Sequence, residues 1–205
     1  MYKRQGLVED TDAPFLYCET EFVQAMPFVS ALRLQRRIEL PVGGQSVRLR
    51  DTVRNVGHTD STHMMLYHFN LGFPLVAEGT MLDLGNDTCV WSDRDHYLRA
   101  VFGPPQVGVQ NSLAVFQHQG DVAAISLASP VLGRRLRMTY PTATLPYCQV
   151  FRMAGQGAYG ACIEPCTTGA RTRQDARAQG EMIILGPGDQ RAYDISLDFL
   201  PLTAT

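Results

Sequence analysis

Short segments of alternating character, each closed by a Gly- or Pro-rich turn, run through most of this 205-residue chain. Val47, Leu49, Asp51 and Val53 alternate with Arg48, Arg50, Thr52 and Arg54. Successive side chains of a strand point to opposite faces. This segment therefore has one mostly apolar face and one basic, polar face, as a half-exposed antiparallel strand does. PVGGQ joins it to residues 33–40 as a hairpin turn. Near the C-terminus, Tyr193, Ile195, Leu197 and Phe199 alternate with Asp194, Ser196 and Asp198. GPGDQ precedes them and reads as the turn of a last hairpin, with the apolar four as its buried face. QGDVAAISLAS, RRLRMTYPT, LPYCQVFRMAG, GAYGACIEP and EMIIL read as further strands. No helix of ordinary length stands out. Met26-Pro27 argues against one over residues 21–31, and residues 167–180 read as a polar loop or a short surface helix. Many short strands with Gly/Pro turns between them predict an all-β sandwich or barrel.

Composition narrows the function. Hydrophobic residues make up 45% and charged residues 19%, which is globular rather than disordered. The net charge of −2 offers no basic field for nucleic acid or an anionic membrane. No apolar run approaches the roughly 18 residues of a membrane helix. MYKRQGLVEDTD lacks the apolar core of a secretion signal. Cys18, Cys89, Cys148, Cys162 and Cys166 are odd in number and scattered. Cys162 and Cys166 are four apart without a second pair or a His cluster, so no metal site is expected. Reduced, mostly buried thiols in a cytoplasmic protein fit this pattern. Residues 1–5 have the look of a translated scar, and residues 6–205 are expected to form a single domain of a protein extending further upstream.

Two places are chemically odd. In MMLYHFNLGFPL, residues 64–75, a strand-like apolar run carries His68 and Asn70. Two residues apart in a strand, they share one face, with Tyr67, Phe69 and Leu71 on the other. Glu164 ends a run of small residues in GAYGACIEP, and Pro165 is expected to stop that strand just after the acid. Small neighbours leave room for a ligand. His63 reads as structural or at a strand start, His96 as exposed in SDRDHYL, and His118 as a turn residue. Trp91 and Tyr67 could stack on a sugar, but aromatic residues in a sandwich are usually core.

RDTVRNVG, HMMLYHFNLGFPL, TATLPYCQVFRMAGQGAYGACIEPCT and LGPGDQRAYDISLDF, taken in order, resemble the aldose 1-epimerase-like, galactose mutarotase-like family, in a little-characterised bacterial branch. The resemblance covers residues 31–200, as the C-terminal two-thirds of such a protein. It implies a large antiparallel β-sandwich, the galactose mutarotase-like supersandwich, N-terminally truncated here, with sugar bound on an open sheet face. It implies a His as general acid on the ring oxygen and a Glu as general base on the anomeric hydroxyl. Glu164 matches the base by its IEP context, and His68 is the candidate acid. In better-known mutarotases the His lies four residues before the Asn, where Leu66 stands here; the two-residue offset keeps the same strand face. Asn70 and Arg152 are the candidate sugar-binding residues. Thr168 is a candidate for the place of the family's Asn after the EP motif. An upstream His or Arg that relatives add to the site has no equivalent in residues 1–30.

The pair suits anomer exchange. Opening a cyclic hemiacetal needs a proton delivered to the ring oxygen and one removed from the anomeric hydroxyl. His, with a reference pKa of about 6.5, exchanges protons near neutrality, and Glu, at about 4.3, is an ionised base. No cofactor and no metal is required. The expected partner is a monosaccharide or sugar derivative. A non-catalytic sugar-binding sandwich, an inactive fragment and a structural interaction domain are the other readings. Convergence of His68 and Glu164 on one cavity, within roughly 5–8 Å, would favour the enzyme.

Overall fold

The computed structural model describes residues 2–9, 11–27, 29–94 and 101–202; His96 lies outside them. The alternating segments form fifteen strands among these residues and one short helix. β1 (Tyr2–Val8), β2 (Phe15–Met26), β3 (Ser30–Pro41) and β4 (Ser46–Asn55) form an antiparallel meander. β5 (Ser61–His63), β6 (Phe69–Leu71), β7 (Met81–Asp83) and β8 (Thr88–Ser92) are short. β9 (Ser112–Gln117), β10 (Val122–Ser129), β11 (Arg134–Pro141), β12 (Tyr147–Gly155) and β13 (Ala158–Cys166) follow. The chain closes with α1 (Arg173–Ala178), β14 (Ile183–Leu185) and β15 (Gln190–Pro201). Residues 2–5 are part of β1 and pair with residues 18–21 of β2.

The strands make an eight-stranded sheet in the order β1-β2-β3-β4-β15-β11-β10-β7 and a five-stranded sheet in the order β6-β13-β12-β9-β8. The core lies between them, because each sheet has one apolar face to bury. Leu49, Val53, Ile125, Leu127, Leu136, Met138, Tyr193 and Ile195 come from the larger sheet. They meet Ala114, Phe116, Cys148, Val150, Ala161 and Ile163 from the smaller one. The fold is an all-β antiparallel sandwich. No helix among the described residues is long and apolar enough to cross a membrane.

One hairpin differs from its expectation. β14 and β15 do not pair with each other across GPGDQ. β14 pairs with β5, forming a separate two-stranded sheet, and β15 pairs with β4 on one edge and β11 on the other. With both edges of β15 taken, β14 has nowhere to dock on it. The alternation of β15 is nevertheless used: Tyr193 and Ile195 are fully buried, whereas Phe199, near the end of the strand, is 40% exposed.

His63 and His118 are built into the interior. His63 Nε2 lies 2.6 Å from the Tyr193 hydroxyl. His118 Nδ1 lies 2.6 Å from Asp87 Oδ2, and its Nε2 lies 2.8 Å from the Tyr140 hydroxyl. His118 directly follows β9, at the start of the turn toward β10, and is buried and doubly bonded there.

Candidate active site

The expected continuous strand over residues 64–75 is broken. β5 ends at His63, a single bridge joins Leu66 to Cys166, and β6 begins only at Phe69. Pro165 gives the reason. Tyr67 N donates to the Pro165 carbonyl at 2.9 Å. In an antiparallel ladder such a residue pair exchanges two hydrogen bonds, and Pro has no N–H for the second. Pro165 therefore does not end β13, which continues through it to Cys166; it thins the ladder on the β6 side instead.

The register survives the gap. Leu66 faces Cys166, Phe69 faces Ile163, Asn70 faces Cys162 and Leu71 faces Ala161. The same count puts His68 opposite Glu164, and Glu164 in turn pairs with Gln149 of β12. His68, Glu164 and Gln149 thus form a row across the sheet, with Asn70, Cys162 and Phe151 as the next row on the same face. Tyr67 points the other way into the core, and Phe69 and Leu71 pack against it.

His68 Nε2 lies 3.1 Å from Glu164 Oε1. The His68 side chain is 54% exposed and that of Glu164 only 7%. The imidazole stands at the solvent edge, and the carboxylate sits beneath it in the sheet. Burial pushes the Glu164 carboxyl above its ordinary value, and the positive charge available at His68 offsets part of this. The separation is shorter than the expected 5–8 Å, so no sugar ring fits between the two groups. In an aldose the ring oxygen and the anomeric hydroxyl are bonded to the same carbon, so an acid and a base held side by side can reach both from one side.

The four candidate residues do not all converge. Asn70 is exposed on the same face, and its Oδ1 accepts from Cys162 Sγ at 3.1 Å. Arg152 pairs with Ala161 and Ser112, which places it on the core-facing side of β12. Its guanidinium stacks 3.9 Å over the Phe102 ring, and Nη2 donates to the Val101 carbonyl at 3.2 Å. Arg152 does not join the His68–Glu164 group.

Two hollows border the pair. One of about 220 Å³ is lined by Gln149, Thr168, Arg171 and Arg173, among others. The other, of about 390 Å³, is lined by Asn70, Phe151, Met153, Gly160 and Cys162, among others. The floor of the first is held by Glu181. Its carboxylate accepts from the Thr168 hydroxyl, from Gly169 N at 3.0 Å and from the Tyr147 hydroxyl at 2.7 Å. Burial would raise the Glu181 carboxyl, but these donors outweigh it and hold it below its ordinary value. Thr168 is therefore committed to its own loop. Trp91 also serves this loop: Nε1 donates to the Gly169 carbonyl at 2.7 Å, and the Arg171 guanidinium lies 4.0 Å over its ring.

Sequence reasoning missed Cys162 and Gln149. Cys162 was within reach of it, being two residues before Glu164 and so on the same face. Gln149 was available through the turn, because Gly155 and Ala158 pair across the two-residue loop Gln156-Gly157. Such a loop fixes the register of both arms.

The family model described as Domain of unknown function (DUF4432) matches residues 6–199. The chain belongs to that family. Curated proteins give no match to its sequence. Among solved structures, a candidate aldose 1-epimerase from Klebsiella pneumoniae subsp. pneumoniae superimposes with a TM-score of 0.83 at 16% identity, covering 95% of this chain and 53% of its own. A candidate aldose 1-epimerase from Escherichia coli K12 gives 0.66 at 17% identity, covering 97% and 69%. A galactose mutarotase-like protein from Clostridium acetobutylicum gives 0.66 at 14% identity, covering 96% and 65%. This DUF4432 chain therefore has the galactose mutarotase-like fold and spans about half the length of the Klebsiella protein.

Proposed function

We propose that this chain interconverts the α and β anomers of an aldose by acid–base ring opening. The observation that carries the reading is the 3.1 Å juxtaposition of His68 Nε2 and Glu164 Oε1 on an open sheet face. Glu164 removes the proton from the anomeric hydroxyl while His68 protonates the ring oxygen. The ring opens, the carbonyl carbon rotates, and the two groups exchange roles as the ring closes on the other face. Burial makes Glu164 a stronger base than a solvated carboxylate, and exposure leaves His68 free to reach the substrate. Each positioned group contributes roughly 10²–10⁴-fold. Asn70 offers both a donor and an acceptor to sugar hydroxyls beside the pair. The similar structures described as candidate aldose 1-epimerases and as mutarotase-like support the same reading.

The substrate is a monosaccharide lying on the sheet over His68, with the flanking hollows taking its substituents. Free thiols at all five cysteines fit a cytoplasmic location. Polarimetry on freshly dissolved α-aldoses tests the activity: the protein accelerates the approach to equilibrium rotation, and His68→Ala removes the acceleration. A wild-type protein that binds the sugar without accelerating exchange is a carbohydrate-binding sandwich instead.

A further inference from the structure

The sheet register gathers a third group that the acid–base reading does not use. Cys162 lies one row from Glu164 and directly opposite Asn70. One donor atom from each of His68, Cys162 and Glu164 lies within 4.8 Å of the other two. We propose that these three side chains form a binding site for a divalent transition-metal ion of the zinc type.

The donor set is a thiolate, an imidazole and a carboxylate, the mixture that borderline-soft ions such as Zn²⁺ select over Mg²⁺ or Ca²⁺. Zinc bonds to N and O run about 2.0–2.2 Å and to S about 2.3 Å, so tetrahedral donors sit about 3.3–3.6 Å apart. The His68–Glu164 pair is already at 3.1 Å. The thiol donates to Asn70 Oδ1 and needs only to turn from that bond toward the carboxylate. Cys162 and Glu164 are buried on adjacent rows of one strand, which fixes two ligands on rigid backbone, while exposed His68 closes from the rim. Three protein ligands leave a fourth position facing solvent. Cysteine spacing along the chain gives no hint of this site, because its ligands come from β13 and from the segment just before β6, almost a hundred residues apart.

A bound ion takes both groups proposed as acid and base, so metal and sugar exclude each other. The test is made without sugar and does not depend on activity. The full chain is titrated with Co²⁺ under reducing conditions and followed by absorbance. One equivalent gives a near-ultraviolet thiolate-to-cobalt band with the visible bands of tetrahedral cobalt. Cys162→Ser removes the ultraviolet band, and His68→Ala, at an exposed position, weakens Co²⁺ binding at least about tenfold. Cys89→Ser, which alters the exposed thiol elsewhere, leaves both features intact. No stoichiometric uptake, or a band that survives Cys162→Ser and is lost in Cys89→Ser, overturns the proposal. Either result leaves anomer exchange by the metal-free protein untouched.

Discussion

The hydroxyl of Tyr67 donates to the buried carboxylate of Asp51 at 2.8 Å, tying the segment that carries His68 to the opposite sheet. Asp51 also accepts from Arg36, Nε at 2.9 Å and Nη2 at 2.7 Å. The Asp51 side chain has no exposed surface. A carboxylate in the middle of the apolar face of β4 is thus a clamp between the sheets, and it explains the polar exception in that strand's alternation.

Tyr67→Phe removes one neutral donor and leaves Arg36 in place, so it destabilises by about 1–2 kcal/mol. Arg36→Met leaves the Asp51 charge buried with only a phenol for company and costs about 3–5 kcal/mol. Urea unfolding of both variants checks the order. Equal losses would mean that Arg36 contributes no more to Asp51 than the phenol does.

His63 makes stability fall in acid. Burial, helped by the positive charge of Arg191, depresses its pKa from 6.5 to about 4. The unfolded chain binds the proton more tightly, so this contribution is complete above pH 6.5 and is lost as pH falls toward 4. The difference amounts to about 3 kcal/mol at most. His63→Gln flattens the stability profile over that window relative to wild type. Parallel profiles from pH 7 to 4 would show that His63 is not the group responsible.

Gly160 and Gly72 behave oppositely. A Cβ at Gly160 would stand 2.9 Å from the Leu71 carbonyl, a backbone atom of β6. Gly160→Ala therefore pushes β6 away from β13, moving Asn70 and the end of the His68 segment, and lowers both stability and activity. A Cβ at Gly72 meets nothing within 4 Å. Gly72→Ala is neutral, or stabilises by about 0.4–1 kcal/mol through the unfolded chain. Thermal melts of the two variants side by side make the comparison.

The alternating segments made the strands legible because a half-buried antiparallel strand must alternate. They did not show pairing. β15 reads like the second arm of a hairpin, but a strand's face says nothing about which edges are taken. In the candidate site, parity alone placed His68 with Asn70 and identified position 68 as sharing the face of the family's usual position, held by Leu66. The register then puts 68, and not 66, opposite Glu164. Arg152 went astray for a related reason: it is three residues from Gln149, and an odd offset turns it to the other face. The short distance between His68 and Glu164 was not legible, because it depends on pairing between segments about a hundred residues apart.

Anomer exchange measured by NMR on wild type and Glu164→Gln tests the central claim most directly. The amide keeps the size of the side chain and cannot act as the base, so exchange falls by about 10²-fold or more while the melting curve stays cooperative. Exchange by Glu164→Gln at the wild-type rate would contradict the account.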